Sequence, residues 1–259
     1  MDDAPRRYGG FMSSQEGESF YDAPGVHNRY TAHREDGRLS PNHVMEEPAV
    51  LAEVGDPAGL RVLDLGCGDG AFGRLLLEAG ARSYRGVDSS SSMVEQAGRT
   101  LAGTAGRVDL ADIENFTGEA HSVDLVTARL SLHYVADLDR VLAACARALV
   151  PAGRLIVTVV HPVITSYDNR TDGPRTTWTV DDYFNPGPRL RAWMGSQVTW
   201  HHRTIENYFV AITRAGLTVT SLRECEPDAA RFGGDADELV RRRRVPLFLL
   251  LNARTPAVH

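Results

Sequence analysis

Short apolar segments alternate with amphipathic helical patterns through the middle of the chain. The apolar segments predict five strands, at Arg61–Leu65, Tyr84–Val87, Arg107–Leu110, Val123–Ala128 and Leu155–Val160. The intervening patterns predict helices over Ala71–Ala79, from Ser89 to about Leu101, and over Leu138–Leu149. Short strands that alternate with helices are typical of a parallel sheet. The sequence therefore predicts an α/β fold in which helices cover both faces of the sheet.

The rest of the chain divides around this alternating core, which we place at residues 60–162. Residues 1–19 are polar and aperiodic and predict a flexible tail, whereas residues 20–59 predict a helical N-terminal cover. Residues 163–203 hold the three tryptophans in an irregular sequence, so we expect an inserted, aromatic-rich lid or substrate arm after strand five. Residues 204–259 return to the core sheet with a helix over Thr204–Ala215 and strands over Leu217–Leu222 and Val245–Asn252.

Composition and charge exclude several kinds of function. The 259 residues carry 34 acidic and 28 basic side chains, a net charge of −6, and every basic side chain is arginine. Without lysine the chain has neither a Schiff-base lysine nor the lysine of a phosphate-binding loop. An acidic chain is also atypical of nucleic-acid binders, and we expect no nucleic-acid partner.

Cysteine spacing and hydropathy point to a cytoplasmic protein. Cys67, Cys145 and Cys225 are odd in number and widely spaced, which fits neither a zinc site nor a disulfide framework, so we expect no metal. The first residues lack the apolar core of a signal peptide. The longest apolar stretches, such as Val245–Leu251, are far too short to span a bilayer, so we expect no membrane association. A homodimer is compatible with the sequence.

A glycine cluster at the end of the first predicted strand is the most informative motif. It reads Val62-Leu-Asp-Leu-Gly-Cys-Gly-Asp-Gly70, and Asp88 ends the second strand 18 residues later. Glycines at a strand-to-helix turn allow close approach of a ligand to the backbone. Open α/β sheets bind ligands at this carboxyl edge. A carboxylate at Asp88 can accept hydrogen bonds from both ribose hydroxyls, which predicts a nucleoside cofactor.

The glycines alone leave the type of nucleoside open. Residues 68–73 satisfy the G-x-G-x-x-G pattern of dinucleotide-binding folds. In that reading Asp64 would lie near a pyrophosphate, where a carboxylate is unfavourable. Asp64 suits a ligand that carries an amino group or a sulfonium at that place.

Taken together, four motifs resemble the class I S-adenosylmethionine-dependent methyltransferases. They are Asp64-Leu-Gly-Cys-Gly-Asp-Gly70, Val87-Asp-Ser-Ser-Ser-Ser-Met93, Asp112-Ile113, and Leu130-Ser-Leu-His-Tyr-Val135 followed by Pro151-Ala-Gly-Arg-Leu-Ile-Val157. The resemblance covers roughly residues 40–162 and, more loosely, the C-terminal strand pair. It implies a Rossmann-like, seven-stranded, mostly parallel sheet with one antiparallel strand, and S-adenosylmethionine as the cofactor.

The same resemblance implies roles for the matching positions. Asp64, Gly66, Cys67 and Gly68 would form the turn at the methionine end, where the family often has Glu in place of Asp64. Asp88 and the adjoining Ser89 would lie at the ribose. Met93, Asp112 and Ile113 would contact the adenine, and Leu130 would line the methionine side. Upstream, Tyr21, Tyr30 and Arg34 loosely resemble residues that close over the cofactor in small-molecule members.

Histidines are the candidate bases for the acceptor. Methyl transfer needs a base only when the acceptor must lose a proton. His201 and His202 lie where the predicted arm rejoins the core, and His133 follows strand four, close to the expected cofactor. For each of these histidines a structural role in hydrogen bonding remains the alternative. The aromatic side chains of the arm could likewise wall an acceptor pocket or form the arm's own small core.

Three functions remain open at the level of sequence. The first is methyl transfer to the nitrogen, oxygen or carbon of a small molecule, with specialised metabolism suggested only by the arginine-rich, GC-type residue usage. The second is a nicotinamide-dependent oxidoreductase on a related sheet. The third is a homologue that binds the cofactor without turnover.

Overall fold

A computed structural model describes residues 19–26, 29, 40–166, 178–193 and 195–257. Its nine strands are β1 Arg61–Leu65, β2 Ser83–Asp88, β3 Gly106–Leu110, β4 Val123–Arg129, β5 Leu149–Val160, β6 Gly187–Trp193, β7 Ser196–His202, β8 Thr218–Arg223 and β9 Phe248–Arg254. Its α-helices are α1 Glu47–Val54, α2 Ala71–Glu78, α3 Ser91–Thr100, α4 Leu138–Ala148, α5 Pro162–Thr165, α6 Ile205–Arg214 and α7 Ala236–Arg242. A π-helical turn, Asn42–Glu46, leads into α1. Short 3-10 turns occur at Phe20–Asp22, Ile113–Asn115 and Ala229–Arg231.

Seven strands form the main sheet in the order β3-β2-β1-β4-β5-β9-β8. The first five pair in parallel, and β9 runs antiparallel to both of its neighbours. This order confirms the predicted mostly parallel Rossmann-like sheet with one antiparallel strand. Strand order reverses between β1 and β4, which is where open sheets of this kind bind ligands at the carboxyl edge.

Two apolar cores cover the two faces of the sheet, as the continuously apolar strands predict. Leu63, Val126 and Val157 point to one face, where they pack with helices α4 and α6. Their sequence neighbours Val62, Leu125 and Ile156 point to the other face, where helices α1 and α2 pack. Successive side chains of a strand alternate between faces, so each central strand contributes to both cores.

The fifth strand begins earlier than its sequence indicates. The prediction ended α4 at Leu149 and began the strand at Leu155, because Pro151 and Gly153 interrupt the pattern. In the structure β5 begins at Leu149, and its pairing with β4 shifts between the Val123–Leu149 and Leu125–Arg154 pairs. The residues between these pairs form an irregularity in which Ala152 adopts a positive φ of 59°. A proline is tolerated in a strand at such an irregularity.

The predicted insertion contains regular structure where it is described. Strands β6 and β7 form a separate two-stranded antiparallel sheet, and α5 precedes them. The helix after the insertion begins within one residue of its predicted start: Thr204 caps α6 by accepting from the backbone N–H of Asn207 at 3.1 Å, and the Asn207 amide oxygen accepts from the Thr204 N–H at 3.0 Å. Within the described ranges no helix is both long and apolar enough to cross a bilayer.

Gly73 of helix α2 packs directly against the sheet, whereas Gly98 of helix α3 faces open space, so substitutions at the two positions test the packing of α2. A Cβ at Gly73 would lie 2.3 Å from the Tyr84 ring, whereas a Cβ at Gly98 on α3 meets nothing within 4 Å. We expect Gly73→Ala to lower the free energy of unfolding by about 1–3 kcal/mol, as overpacking does. Gly98→Ala is the matched control and should raise it by roughly 0.5–1 kcal/mol. Urea denaturation measures both, and a Gly73→Ala protein as stable as the control would contradict the packing.

Candidate active site

The glycine turn after β1 is held at the carboxyl edge of the sheet by backbone hydrogen bonds. The N–H groups of Gly66 and Cys67 donate to the Val87 carbonyl at 2.8 and 3.1 Å. Gly66 has φ +78°, and a Cβ there would lie 2.4 Å from the Ser131 Cβ, so this glycine is required by packing. Gly68 has φ +55°, and a Cβ there would meet nothing within 4 Å. Its backbone faces open space at which a ligand can approach.

Asp88 joins the ends of the first two strands. One carboxylate oxygen accepts from the Gly68 N–H at 2.8 Å, and the other accepts from the Ser90 N–H at 2.9 Å. Burial raises the pKa of this carboxyl, and the two backbone donors oppose that rise. Asp88 therefore fixes the glycine turn, and its remaining lone pairs can accept from a ligand.

Asp64 lies on β1 as a buried carboxylate with two neutral donors. The Tyr84 hydroxyl donates to it at 2.6 Å and the Thr127 hydroxyl at 2.7 Å. Burial raises the pKa of Asp64 although both hydrogen bonds lower it. A cationic ligand at this end of the cavity would favour the ionised carboxylate. This chemistry fits the amino or sulfonium group of S-adenosylmethionine.

A cavity of about 790 Å³ opens along this edge of the sheet. Its lining includes these residues predicted to contact the cofactor: Tyr21, Asp64, Gly66, Cys67, Gly68, Asp88, Ser89, Met93, Asp112, Ile113 and Leu130. Tyr30 and Arg34, the other two predicted contacts, lie outside the described residues. Residues at the ends of four strands, β1, β2, β3 and β4, thus meet in one cavity.

Cys67 lines the cavity as a buried, unoxidised side chain. Its sulfur packs where a Cβ on Gly86 would lie, 2.5 Å from the Sγ. Burial raises the pKa of the thiol. Both observations describe a small packed thiol rather than a reactive one.

The N-terminal segment covers the cavity next to helix α3. Asp22 accepts from the backbone N–H groups of Ser91 and Ser92 at 2.8 and 3.1 Å and from the Ser90 hydroxyl at 2.7 Å. These hydrogen bonds offset the effect of burial and lower the pKa of Asp22 to about 2. The hydroxyls of Tyr21 and Tyr134 lie 3.2 Å apart across the cavity wall.

The turn after β4 separates the cofactor motifs from the arm. Leu130 adopts φ +51°, an uncommon value for a residue with a side chain, and its N–H donates to the Thr158 carbonyl at 2.9 Å. The Ser131 hydroxyl donates to the Leu65 carbonyl at 2.7 Å, which ties this turn to the glycine turn. Both residues line the cavity.

The three predicted base histidines occupy different places. His133 lines the cavity, whereas His201 and His202 are not part of its lining. His202 is fully buried, with Nδ1 2.7 Å from the Thr165 hydroxyl and Nε2 2.9 Å from the Tyr183 carbonyl. Both ring nitrogens are engaged, so the geometry favours a structural role. The backbone N–H of His201 donates to the His133 carbonyl at 2.7 Å, which docks β7 onto the turn.

His133 is buried in the wall between the cofactor motifs and the arm. Its ring packs edge-on against Trp200 with centroids 5.2 Å apart, and Nδ1 has no hydrogen-bond partner among the described residues. Burial, together with the nearby Arg203, lowers the pKa of His133 to about 3. At neutral pH the ring is therefore uncharged.

Sequence reasoning missed a charged group on the opposite wall of the cavity. Glu46 is fully buried, and its carboxylate binds Arg129 of β4 in a two-point contact at 3.1 and 2.5 Å. The Thr158 hydroxyl donates to Glu46 at 2.7 Å, and the Arg129 guanidinium stacks on the Phe72 ring at 4.1 Å. The one signal in the sequence is an arginine at the end of an apolar strand. Its partner is 83 residues away.

Two further missed residues, His43 and Glu47, lie on the helical segment that carries Glu46. Both line the cavity, and His43 Nδ1 is 3.3 Å from a Glu47 carboxylate oxygen. The sequence pattern had marked only the apolar positions of this helix. Within the described ranges no group of three or more histidine, cysteine or acidic side chains could hold a metal ion.

Comparisons with known proteins give the family. The sequence pattern of a methyltransferase domain matches residues 62–153. A ubiquinone biosynthesis O-methyltransferase of Xanthomonas oryzae is 30% identical over 173 residues, which cover 61% of this chain and 71% of that protein. An uncharacterized protein of Haemophilus influenzae is 28% identical over 199 residues, covering 72% and 78% of the two chains.

Solved structures agree with the sequence relatives. The crystal structure of an S-adenosylmethionine-dependent methyltransferase from Mesorhizobium loti matches with a TM-score of 0.76 at 33% identity, covering 85% of this chain and 99% of that one. A putative methyltransferase of the same kind from Listeria monocytogenes matches with a TM-score of 0.73 at 30% identity, covering 81% and 96%. The chain therefore belongs to the S-adenosylmethionine-dependent methyltransferases.

Proposed function

We propose that this methyltransferase acts on a small molecule held between the glycine turn and the aromatic arm. The observation that carries this proposal is the continuity of the cavity. Its lining runs from the cofactor motifs to Ile164, Trp193 and Trp200 of the arm region. A volume of about 790 Å³ lies within the range of roughly 300–1,000 Å³ that is usual for small-ligand sites.

The acceptor end of the cavity favours a flat or apolar molecule. Besides the two tryptophans, Phe20, Tyr21 and Tyr134 contribute aromatic surface to the lining. Aromatic walls bind rings through stacking and edge contacts and contribute large apolar areas. Relatives named for O-methylation in ubiquinone biosynthesis support a small-molecule acceptor. A place in specialised metabolism remains a prediction from residue usage alone.

S-adenosylmethionine supplies an electrophilic methyl group on a sulfonium. The chain has to orient that group and exclude water. In this proposal Asp64 would lie at the cationic methionine end, Asp88 would accept from the ribose, and Met93 with Ile113 would pack on the adenine. Asp112 would accept from the adenine amino group. Tyr21 would close the site from the N-terminal segment.

Within this proposal His133 orients the acceptor as a neutral ring. Its low pKa makes it a weak proton acceptor, because a charged imidazole would be buried without a counter-ion. A neutral ring nitrogen without a partner can still form a hydrogen bond to an acceptor group. We therefore propose that His133 orients the acceptor. We propose that His202, on β7, has a structural role, because it contacts Thr165 of α5 and the Tyr183 carbonyl.

Cofactor binding tests the proposed role of Asp88. We expect Asp88→Ala to weaken S-adenosylhomocysteine binding roughly 10- to 100-fold, because hydrogen bonds to a charged group contribute about 1.5–3 kcal/mol each. Asp109→Ala is the matched control, since Asp109 pairs with Arg85 at 2.5 Å outside the cavity. Calorimetry measures both affinities. Equal affinities in the two variants would remove Asp88 from the cofactor site.

Ligand binding by the wild-type protein separates the alternative functions. A nicotinamide oxidoreductase would bind NADH and gain no thermal stability from S-adenosylhomocysteine, whereas a methyltransferase gives the opposite pattern. A protein that binds S-adenosylhomocysteine but methylates none of a broad panel of hydroxyl, amine, thiol and carbon acceptors would be a non-catalytic homologue. That result would overturn the proposed function.

The stability of the protein in acid tests whether the buried His133 ring is uncharged. Its folded pKa of about 3 lies below the unfolded value of 6.5, so the unfolded chain binds the extra proton. The unfolded chain takes up this proton only as the pH falls below about 6.5. Above that pH the protein therefore has its full free energy of unfolding, and below it this free energy decreases. Between pH 7 and pH 5 the loss is about 2 kcal/mol at 1.36 kcal/mol per pH unit.

We expect His133→Gln to remove this part of the acid sensitivity, because glutamine does not titrate. Urea denaturation at pH 7 and pH 5 gives the difference between variant and wild type. His161→Gln and His202→Gln are comparison variants, since burial also lowers the pKa of those two histidines. An unchanged pH dependence in His133→Gln would show that the ring is charged or exposed in the native protein.

A further inference from the structure

The cavity holds one histidine that is backed by a carboxylate. His43 lies in the π-helical turn and Glu47 begins α1, and His43 Nδ1 is 3.3 Å from Glu47 Oε1. Single π-turns inside helices occur frequently at functional sites. Nearly half of the His43 side chain (47%) is exposed, so a ligand in the cavity can reach it. We propose that His43, oriented by Glu47, is the general base that takes a proton from a hydroxyl acceptor.

The tautomer of His43 follows from its partner. An ionised carboxylate can only accept hydrogen bonds, so Nδ1 carries the hydrogen and Nε2 carries the lone pair. A carboxylate behind one ring nitrogen is the arrangement that orients a basic histidine and stabilises its protonated form. Glu47 is itself held, because Arg129 Nη2 lies 3.4 Å from its second oxygen.

Charged groups from three elements surround the pair. Glu46 and Glu47 supply two carboxylates from the helical segment, and Arg129 supplies one guanidinium from β4. Asp64 also acts on Arg129 from β1. Buried Glu46 makes the two-point contact with the guanidinium, and Glu47 makes one longer contact through Oε2, so Glu47 Oε1 remains for His43 Nδ1.

Three other described histidines use their rings elsewhere. His161 accepts from the Val163 N–H at Nδ1 and lies 3.1 Å from Glu224 at Nε2. His202 uses both ring nitrogens, and His121 binds the Leu149 carbonyl outside the cavity lining. Among the histidines in the described ranges, only His43 and His133 line the cavity. Of these two, His43 is the one whose ring lies next to a carboxylate, that of Glu47.

The proposed step, which rests on the proposed function, moves one proton to His43 and one methyl group to the acceptor oxygen. His43 Nε2 binds the hydroxyl proton, and the electrons of that O–H bond stay on the oxygen. The oxygen forms a bond to the methyl carbon as the carbon–sulfur bond breaks, with its electrons passing to sulfur. The products are a methyl ether, S-adenosylhomocysteine and an imidazolium paired with Glu47. Water then removes the proton from His43.

Hydroxyl acceptors of graded acidity test this step in the full-length protein. We expect His43→Gln to lower kcat on catechol about 100- to 1,000-fold, the usual range for loss of a general base. On 4-nitrocatechol the loss should be about 10-fold or less, because that acceptor is already ionised near neutral pH. S-adenosylhomocysteine affinity should stay within about 2-fold of wild type. His121→Gln is the matched control and should behave as wild type with both acceptors.

Glu47→Gln tests the orienting carboxylate with the same two acceptors. A neutral amide pairs with a protonated ring less well than a carboxylate does, so kcat on catechol should fall about 10-fold and kcat on 4-nitrocatechol should fall less. An equal loss for catechol and 4-nitrocatechol in His43→Gln would overturn the inference. Turnover of amine or thiol probes with no turnover of either catechol would overturn it too, yet leave the proposed function intact.

A measurement without any acceptor tests the pair directly. In 15N-labelled protein saturated with S-adenosylhomocysteine, neutral His43 should show the Nδ1–H tautomer. This preference should weaken in Glu47→Gln, because an amide can donate as well as accept. An Nε2–H tautomer in the wild type, or a tautomer ratio unaffected by Glu47→Gln, would overturn the inference whatever the acceptor is. Binding of S-adenosylhomocysteine without methylation of any probe would overturn both proposals.

Discussion

The buried ion pair between Glu46 and Arg129 joins the N-terminal helical segment to the carboxyl edge of the sheet. A buried carboxylate is tolerated only when it is paired and hydrogen-bonded, and here the two-point contact with Arg129 and the Thr158 hydroxyl satisfies it. Removing one partner of such a pair leaves an uncompensated buried charge, which costs about 3–5 kcal/mol. The helix that carries His43 and Glu47 is therefore fixed over the cavity by this charge pair as well as by apolar packing.

The same ion pair also fixes the end of β4. Arg129 is held on one side by Glu46 and on the other by the face of Phe72, which belongs to α2 just after the glycine turn. The following residue, Leu130, adopts a left-handed conformation, and its N–H is held by the Thr158 carbonyl. Thr158 thus contacts both the charge pair and the turn that borders the cofactor. Helix, sheet and turn meet at this one threonine of β5.

Local patterns predicted most of the core, because their causes are local. The glycine turn, the acidic end of β2 and the start of α6 are each determined by a few adjacent residues, and the sequence predicts each of them to within one residue. Pro151 misled the prediction of β5, since a proline usually ends a strand and only the pairing with β4 reveals the irregularity that accommodates it. The division of the chain into tail, cover, core and arm remains a prediction.

The site itself was only partly predictable, because its charges are paired over long separations. Nothing near Glu46 in the sequence identifies Arg129 as its partner, and His43 is informative only once its neighbours are known. His202 drew attention because it precedes a helix next to a second histidine. Its burial against Thr165 and Tyr183 depends on the fold of the arm, which the sequence pattern did not resolve.

The arm and the cofactor edge are connected through the turn after β4. Arg203, at the end of β7, donates to the carbonyls of Val135 and Ala136 at 2.7 and 2.8 Å. From the cofactor side, Glu114 accepts from the backbone N–H groups of Ala136 and Asp137, and Glu114 follows directly after Asp112 and Ile113. One short turn is thus held from both sides. A shift of the wall that carries His133 would therefore have to break these hydrogen bonds or move the arm and the Asp112–Glu114 turn with it, which couples the two ends of the cavity geometrically.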